Sequence, residues 1–330
     1  MIPDSERWDE HDARLDEFKA DIEKLTADDV SAAGDAAAET QTIYHYTGVA
    51  SALAIIETGH FWFAERAHLN DTLELQYGLR IGHEMFDAAL KSAGPTVPQG
   101  AADHLMGEIK LGLAEFGYWV ASFSQEGDDL SQWRSYADEG TGVCLGFSVQ
   151  ELDMRQFASP IPATFNFLRF PVQYDEAELR KRLKPYIDLG IKLLRDVNLP
   201  SMPSYSQRYG RALLYERDLL QAMMSGVYLH AMMHKHKAYQ HEREYRLILN
   251  AYRLKIEPAP EHKVRARNGE IVSYLDLPIP NWKFSRTLTH INVGPAGAPK
   301  LGEQLITAFK SFGLPVPRIE RSTLPFRRTR

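Results

Sequence analysis

The chain is short of cysteine, of basic excess and of long apolar runs, and each shortage excludes something. Cys144 is the single cysteine, so neither an intrachain disulfide nor a thiolate zinc site is available, which points to a reducing compartment. Lys and Arg total 38 against 44 Asp and Glu, a net charge of -6 that argues against a dedicated nucleic-acid binder. No apolar run reaches the roughly 20 residues needed to cross a bilayer. The opening MIPDSERWDEHDARLDEF is acidic and polar, unlike a secretory signal. No glycine-rich phosphate loop, no GxSxG elbow and no HExxH occurs, which disfavours the common nucleotide, α/β-hydrolase and zinc-protease solutions. No internal repeat is present. The remainder, 44% hydrophobic and 25% charged, is an ordinary globular mixture, and a cytoplasmic location with no membrane association is the expectation.

Residues 5–29 read as an amphipathic helix with Trp8, Leu15, Phe18, Ile22 and Leu25 along one stripe, and 31–42 (SAAGDAAAETQT) as a linker. Residues 1–40 are therefore an expected appendage, whose stripe could serve homo-oligomerisation, and 41–330 one α+β domain. That domain opens with a strand at Ile43–Tyr46, a helix N-capped by Thr47 and closed by Gly59, and a strand at Phe61–Ala64. A helix after Asp71, another over about 101–116, and strands at Tyr118–Ser124 and Gly142–Phe147 follow. A helical insertion is expected over about 175–240, built from Asp175–Val197 and Ser204–His236. The end carries a strand at Tyr245–Asn250, a hairpin turning at Asn268-Gly269, a buried strand at Thr289–Val293 and a helix over Lys300–Phe312.

Five groupings could carry chemistry. His45, within Tyr44-His45-Tyr46-Thr47, is held rigidly where a strand meets a helix; it is either a core histidine bonded to backbone or a ring facing a cleft. Asn70 and Asp71 with Glu74 form a helix capping box, or a pocket wall if the loop lines one. Ser122, Phe123, Ser124, Trp133 and Tyr136 are either packing or an aromatic ligand shelf. Glu242 and Glu244, two apart on an expected strand, would share one face with Arg246. They are either a solvated strand start or paired carboxylates, one stabilising a developing cation. His230, His234, His236 and His241 include an i, i+4 pair of metal-compatible spacing with no carboxylate between, and surface or pocket-rim histidines are the plainer reading. Cys144, inside an apolar strand, reads as an inert thiol.

In order, YHYT (44–47), AIIETG (54–59), FWFA (61–64), LND with Glu74, SFS (122–124), Trp133-Tyr136-Ala137, GVCLGF (142–147), EREYR (242–246), VGP (293–295) and STLPFR resemble a bacterial domain of unknown function family, number 2971. A more distant resemblance, carried by His-x-Thr on a first strand, a helix ending IL-x-x-G and a late strand beginning Glu-Tyr, is to the ADP-ribosyltransferase fold. It implies a split mixed or antiparallel β-sheet core and NAD as substrate. His45 would hold the NAD ribose, and Glu244 would be the catalytic carboxylate. Glu242 would be the first glutamate of the Glu-x-Glu pair of arginine-modifying enzymes. The pocket would draw on Tyr46, Thr47, Trp62 or Phe63, Asn70, Ser122, Ser124 and Arg246, with the stacking aromatic one of Tyr77, Tyr118 and Phe123. The implied function is cleavage of the nicotinamide glycosidic bond with ADP-ribose passed to a macromolecular acceptor or water, in a toxin or phage-defence effector. The alternative is a nucleotide-sensing or protein-interaction module without chemistry. No metal site is expected.

Overall fold

A computed structural model describes residues 5–65, 74–94, 116–152, 165–196, 224, 226–252, 262–267, 269–280, 282–283 and 287–327. The chain divides into two compact units, each drawing on separate stretches rather than parting at residue 40. One contains residues 1–32, 71–116 and 173–237; the other contains 33–70, 117–172 and 238–330. No helix among the described residues is long and apolar enough to cross a membrane.

The second unit holds a large, mostly antiparallel open sheet. Its strands are β1 (Thr42–Thr47), β2 (His60–Glu65), β3 (Phe116–Ser124), β4 (Val143–Ser148), β5 (Phe165–Pro171), β6 (Glu244–Tyr252), β7 (His262–Arg267), β8 (Glu270–Pro278), β9 (Leu288–Val293) and β10 (Arg318–Arg321). The order runs β10-β9-β4-β1-β3-β2-β8-β7, with β6 pairing β3 and carrying β5 on its other side. Only β9 and β10 pair in parallel among the registers defined. Strand β3 is the junction, since β1, β2 and β6 all pair with it. Its Ser124 sits opposite Tyr44 of β1, and its Val120 opposite Ala64 of β2.

Alternation decides the two faces. Ile43, Phe61, Phe63, Phe123, Leu145, Phe147, Leu247, Leu249, Leu275, Leu277, Ile291 and Val293 form one buried face. Helix α2 (Val49–Thr58) covers it with Ala52, Ile55 and Ile56, and a later helix, Leu301–Ser311, with Leu301, Leu305 and Phe309 at i, i+4 spacing. Each large side chain so buried contributes about 1.5–3 kcal/mol. The opposite face carries a smaller cluster of Tyr46, Trp133, Ala137 and Cys144. There the short helix Leu130–Tyr136 packs Trp133 edge-on against Tyr46 at 4.8 Å, and its N-cap Asp129 accepts from the amides of Ser131 and Gln132. Of the two readings open for Trp133, packing is what the geometry shows, since the side chain is fully buried against Tyr46.

In the first unit, helices Glu74–Ala93 and Glu176–Asp196 pack together, and residues 226–233 are helical. Asp29 accepts from Tyr186 Oη at 2.8 Å and is bonded to His230 Nε2 at 2.8 Å, with Arg182 at 3.3 Å. Burial opposes ionisation of Asp29, yet those three partners together hold its pKa below the ordinary value.

Three local expectations change. The stretch 31–39 is helical, because α1 (Ser5–Glu39) runs on through it; alanine has the highest helix propensity, and six of those nine residues are alanine or glutamate. The cap of α2 is Gly48 in extended conformation, with no side-chain bond, because Thr47 is the last residue of β1 and is buried. Glu242 is not on a strand: it ends a 3-10 turn over Lys237–Glu242, and Arg243 takes φ 45° before β6 begins at Glu244. That reversal breaks the two-residue alternation on which a shared face for Glu242 and Glu244 depended. The helix of about 101–116, most of 204–236, Asn70, Asp71 and Asn268 lie outside the described residues, although β7 and β8 do pair as the expected hairpin, Arg267 opposite Glu270.

Candidate functional site

The expected dyad is not assembled. His45 follows Ile43 onto the main-core face of β1, where its ring lies 5.5 Å from Phe123 and its Nδ1–H donates to the Ser122 carbonyl at 3.3 Å. Ser122 falls between the β3 residues that pair with β1 and those that pair with β2. Burial pushes the His45 pKa down, and the nearby positive charge of Arg265 adds to that effect. Glu244 precedes Tyr245, a member of the main core, and so points to the opposite face of the sheet. Its two carboxylate oxygens accept from Nε and Nη2 of Arg246 at 2.8 and 2.9 Å, and both side chains are buried. The same-face expectation thus holds for Glu244 and Arg246, and the product is an internal ion pair rather than a carboxylate beside His45.

The other expected residues have identifiable work. Tyr46 Oη donates to the Glu126 carbonyl at 2.8 Å and accepts from the Asp129 amide at 2.9 Å, pinning the loop after β3. Ser124 Oγ donates to the Glu242 carbonyl at 2.9 Å, and Tyr136 Oη to Glu242 Oε1 at 3.0 Å. Phe63 and Phe123 are core residues. Trp62 lies on the outer face, against Tyr274 and under the Arg265 guanidinium at 4.9 Å. Tyr77 belongs to the first unit, where its hydroxyl donates to Glu176 at 3.2 Å. His230 and His234 are buried, not surface or rim residues, and no cluster of three metal-ligating side chains occurs among the described residues. Cys144 is buried, and burial raises its pKa well above the ordinary thiol value, leaving an inert thiol.

A concavity of about 460 Å³ opens instead on the outer face, lined by Thr42, Tyr44, Thr289, His290, Asn292, Arg318 and Glu320. Register explains it. Tyr44, Gly146, His290 and Arg318 stand in one row across β1, β4, β9 and β10, and Tyr46, Cys144, Asn292 and Glu320 in the next. Gly146 contributes no side chain, so the Tyr44 and His290 rings meet above it, edge to face, with centroids 5.3 Å apart. A Cβ at Gly146 would come within 2.5 Å of the His290 ring. Tyr44 likewise lies on Gly127, where a Cβ would come within 2.4 Å of its ring.

A β-bulge supplies the remaining geometry. Gly146 faces His290 and Phe147 faces Leu288, so Thr289 is the extra residue on β9. Its hydroxyl donates to the Gly146 carbonyl at 2.9 Å. Asn292 Nδ2 donates to the Gly127 carbonyl at 3.0 Å, and Arg318 pairs with Glu320 at 2.6 Å. Burial lowers the His290 pKa, helped by the Arg318 charge, and burial raises that of Tyr44. The concavity therefore joins the Tyr44 ring and the His290 imidazole with an amide, two threonine hydroxyls and the Arg318–Glu320 ion pair. Reading the strand as buried missed it; the polar alternation of His290 and Asn292 between Ile291 and Val293 was the available signal.

Residues 132–247, about a third of the chain, match the model of a family described as a protein of unknown function (DUF2971). The match takes in Gly146, Glu242, Glu244 and Arg246, and leaves out His45, Tyr44, His290 and Arg318. No curated protein and no solved structure matches the chain.

Proposed function

We propose that this chain is a binding module for a nucleotide-like ligand, held on the outer face of the sheet without being cleaved. The observation that supports this reading is the concavity around Gly146. Its size falls in the range of small-molecule sites, roughly 300–1,000 Å³, and its walls suit the two halves of a nucleotide. The Tyr44 and His290 rings offer apolar surface to a planar base. The Arg318 guanidinium, 73% exposed on the edge strand and paired through Nη2 with Glu320 at 2.6 Å, keeps its other N–H groups for a phosphate. Transfer of ADP-ribose from NAD would instead require Glu244 at the reacting bond, and both of its oxygens accept hydrogen bonds from Arg246.

One incubation separates the two. Thermal unfolding is followed with NAD, ADP-ribose and AMP at millimolar concentration, and each mixture is then chromatographed for free nicotinamide. A binding module is stabilised, by about 2.7 kcal/mol when ligand is a hundredfold above Kd, and returns the ligand intact. Release of nicotinamide restores the transferase reading. No stabilisation by any of the three removes the binding one.

A further inference from the structure

The ligand's chemistry can be narrowed from the hydrogen bonds already committed inside the concavity. The Thr289 hydroxyl has one proton, and it goes to the Gly146 carbonyl at 2.9 Å. Thr289 Oγ1 also lies 3.0 Å from His290 Nδ1, so at that contact the oxygen accepts and the ring donates. The neutral imidazole is thereby fixed as the Nδ1–H tautomer, and Nε2 carries the lone pair, with no hydrogen-bond partner among the described residues. Asn292 is oriented by the same logic. Its Nδ2 donates one of its two hydrogens to the Gly127 carbonyl, which can only accept, so Oδ1 is the amide's acceptor end. Residues 290 and 292 share a strand face, and Glu320, opposite Asn292 in register, adds a carboxylate whose Oε1 accepts from Arg318 at 2.6 Å, leaving Oε2.

We infer that the floor of the concavity is an array of hydrogen-bond acceptors, His290 Nε2 and Asn292 Oδ1 beside Glu320, which selects a planar ligand bearing an amino group over one bearing a carbonyl at the same place. This rests on the binding reading for its ligand and on geometry alone for the acceptors. An amino-bearing base such as adenine satisfies the array; a 6-oxo purine sets one acceptor against another. Protonation of His290 converts its acceptor into a donor, so binding weakens as pH falls through the ring's midpoint. The groups that face the ring are Tyr44 from β1, and Arg318 and Glu320 from β10, while β4 presents Gly146 and the buried Cys144. Burial and Arg318 hold that midpoint below the ordinary 6.5, and Glu320 opposes them.

Two measurements test this. Nitrogen-15 spectra of the free protein, labelled at histidine, assign each ring's tautomer. His290 is expected with Nδ1 protonated and Nε2 as the bare, pyridine-type nitrogen, and Thr289→Val is expected to release that preference. Calorimetric titrations then compare AMP with IMP at pH 7.5, where AMP is expected to bind about tenfold or more tighter. An Nε2–H tautomer in the wild-type protein, or equal affinities for the two nucleotides, overturns the inference. If neither nucleotide binds, the binding reading fails separately, and the spectra still decide whether His290 is the acceptor.

Discussion

Glu244 separates a structural from a catalytic account, and its replacement by glutamine tests which is right. The carboxylate and the Arg246 guanidinium meet through two bonds of 2.8 and 2.9 Å, with side chains only 7% and 4% exposed. Removing one partner of such a pair leaves the other charge buried, which costs about 3–5 kcal/mol. Glutamine keeps one carbonyl acceptor, which places Glu244→Gln toward the lower end of that range. Replacing both residues by apolar groups of similar volume removes the stranded charge, and such exchanges are neutral or stabilising by about 1–4 kcal/mol. Urea unfolding followed by far-ultraviolet circular dichroism is therefore expected to show Glu244→Gln with a midpoint lowered by about 1 M, taking a slope near 3 kcal/mol per molar. The double variant Glu244→Leu/Arg246→Met is expected at or above the wild-type midpoint. Wild-type stability in Glu244→Gln, together with loss of nicotinamide release from a turning-over wild type, would refute the reasoning and return Glu244 to catalysis.

Other outcomes follow from the same geometry. Tyr46→Phe removes a hydroxyl that both donates to Glu126 and accepts from Asp129, and should cost about 1–3 kcal/mol in chemical denaturation. His234 is buried, and burial lowers its pKa from 6.5 to about 4, so the fold disfavours its proton. Its contribution is present in full above the unfolded-state value of 6.5 and lost as pH falls from there toward 4, by about 3 kcal/mol in all. His234→Asn, which keeps a donor for the His230 carbonyl, should flatten that part of the pH–stability curve; an unchanged acid slope would place the titration elsewhere.

What could be read from the sequence was what local chemistry decides. The helix closed by Gly59 forms as expected because an αL residue at φ 66° lets its amide reach the Ile55 carbonyl. The Asn268-Gly269 signal marked the β7–β8 hairpin because a two-residue turn fixes its flanking register. Legibility ended where an outcome depended on strands far apart in the chain. Glu242 and Glu244 were treated as strand neighbours, but the positive φ of Arg243 is a tertiary choice that no period-two pattern announces. Period-two alternation places Arg246 on the face of Glu244, yet only the burial of both shows that the pair is internal. The concavity was invisible for a related reason. It forms because Gly146 stands between Tyr44 and His290 in register, three residues from three strands. Gly146 carries no side chain, and what fills the space above it is the His290 ring.

Gly146→Ala tests the central claim most directly, because the added methyl enters the space of a movable imidazole ring and leaves the backbone pairing of β4 in place. Calorimetric titration of ADP-ribose into the wild type and into Gly146→Ala, with both shown folded by circular dichroism, reads the effect. The account predicts saturable binding to the wild type and affinity weakened at least about tenfold in the variant. Equal binding by the two proteins would place the ligand elsewhere and contradict it.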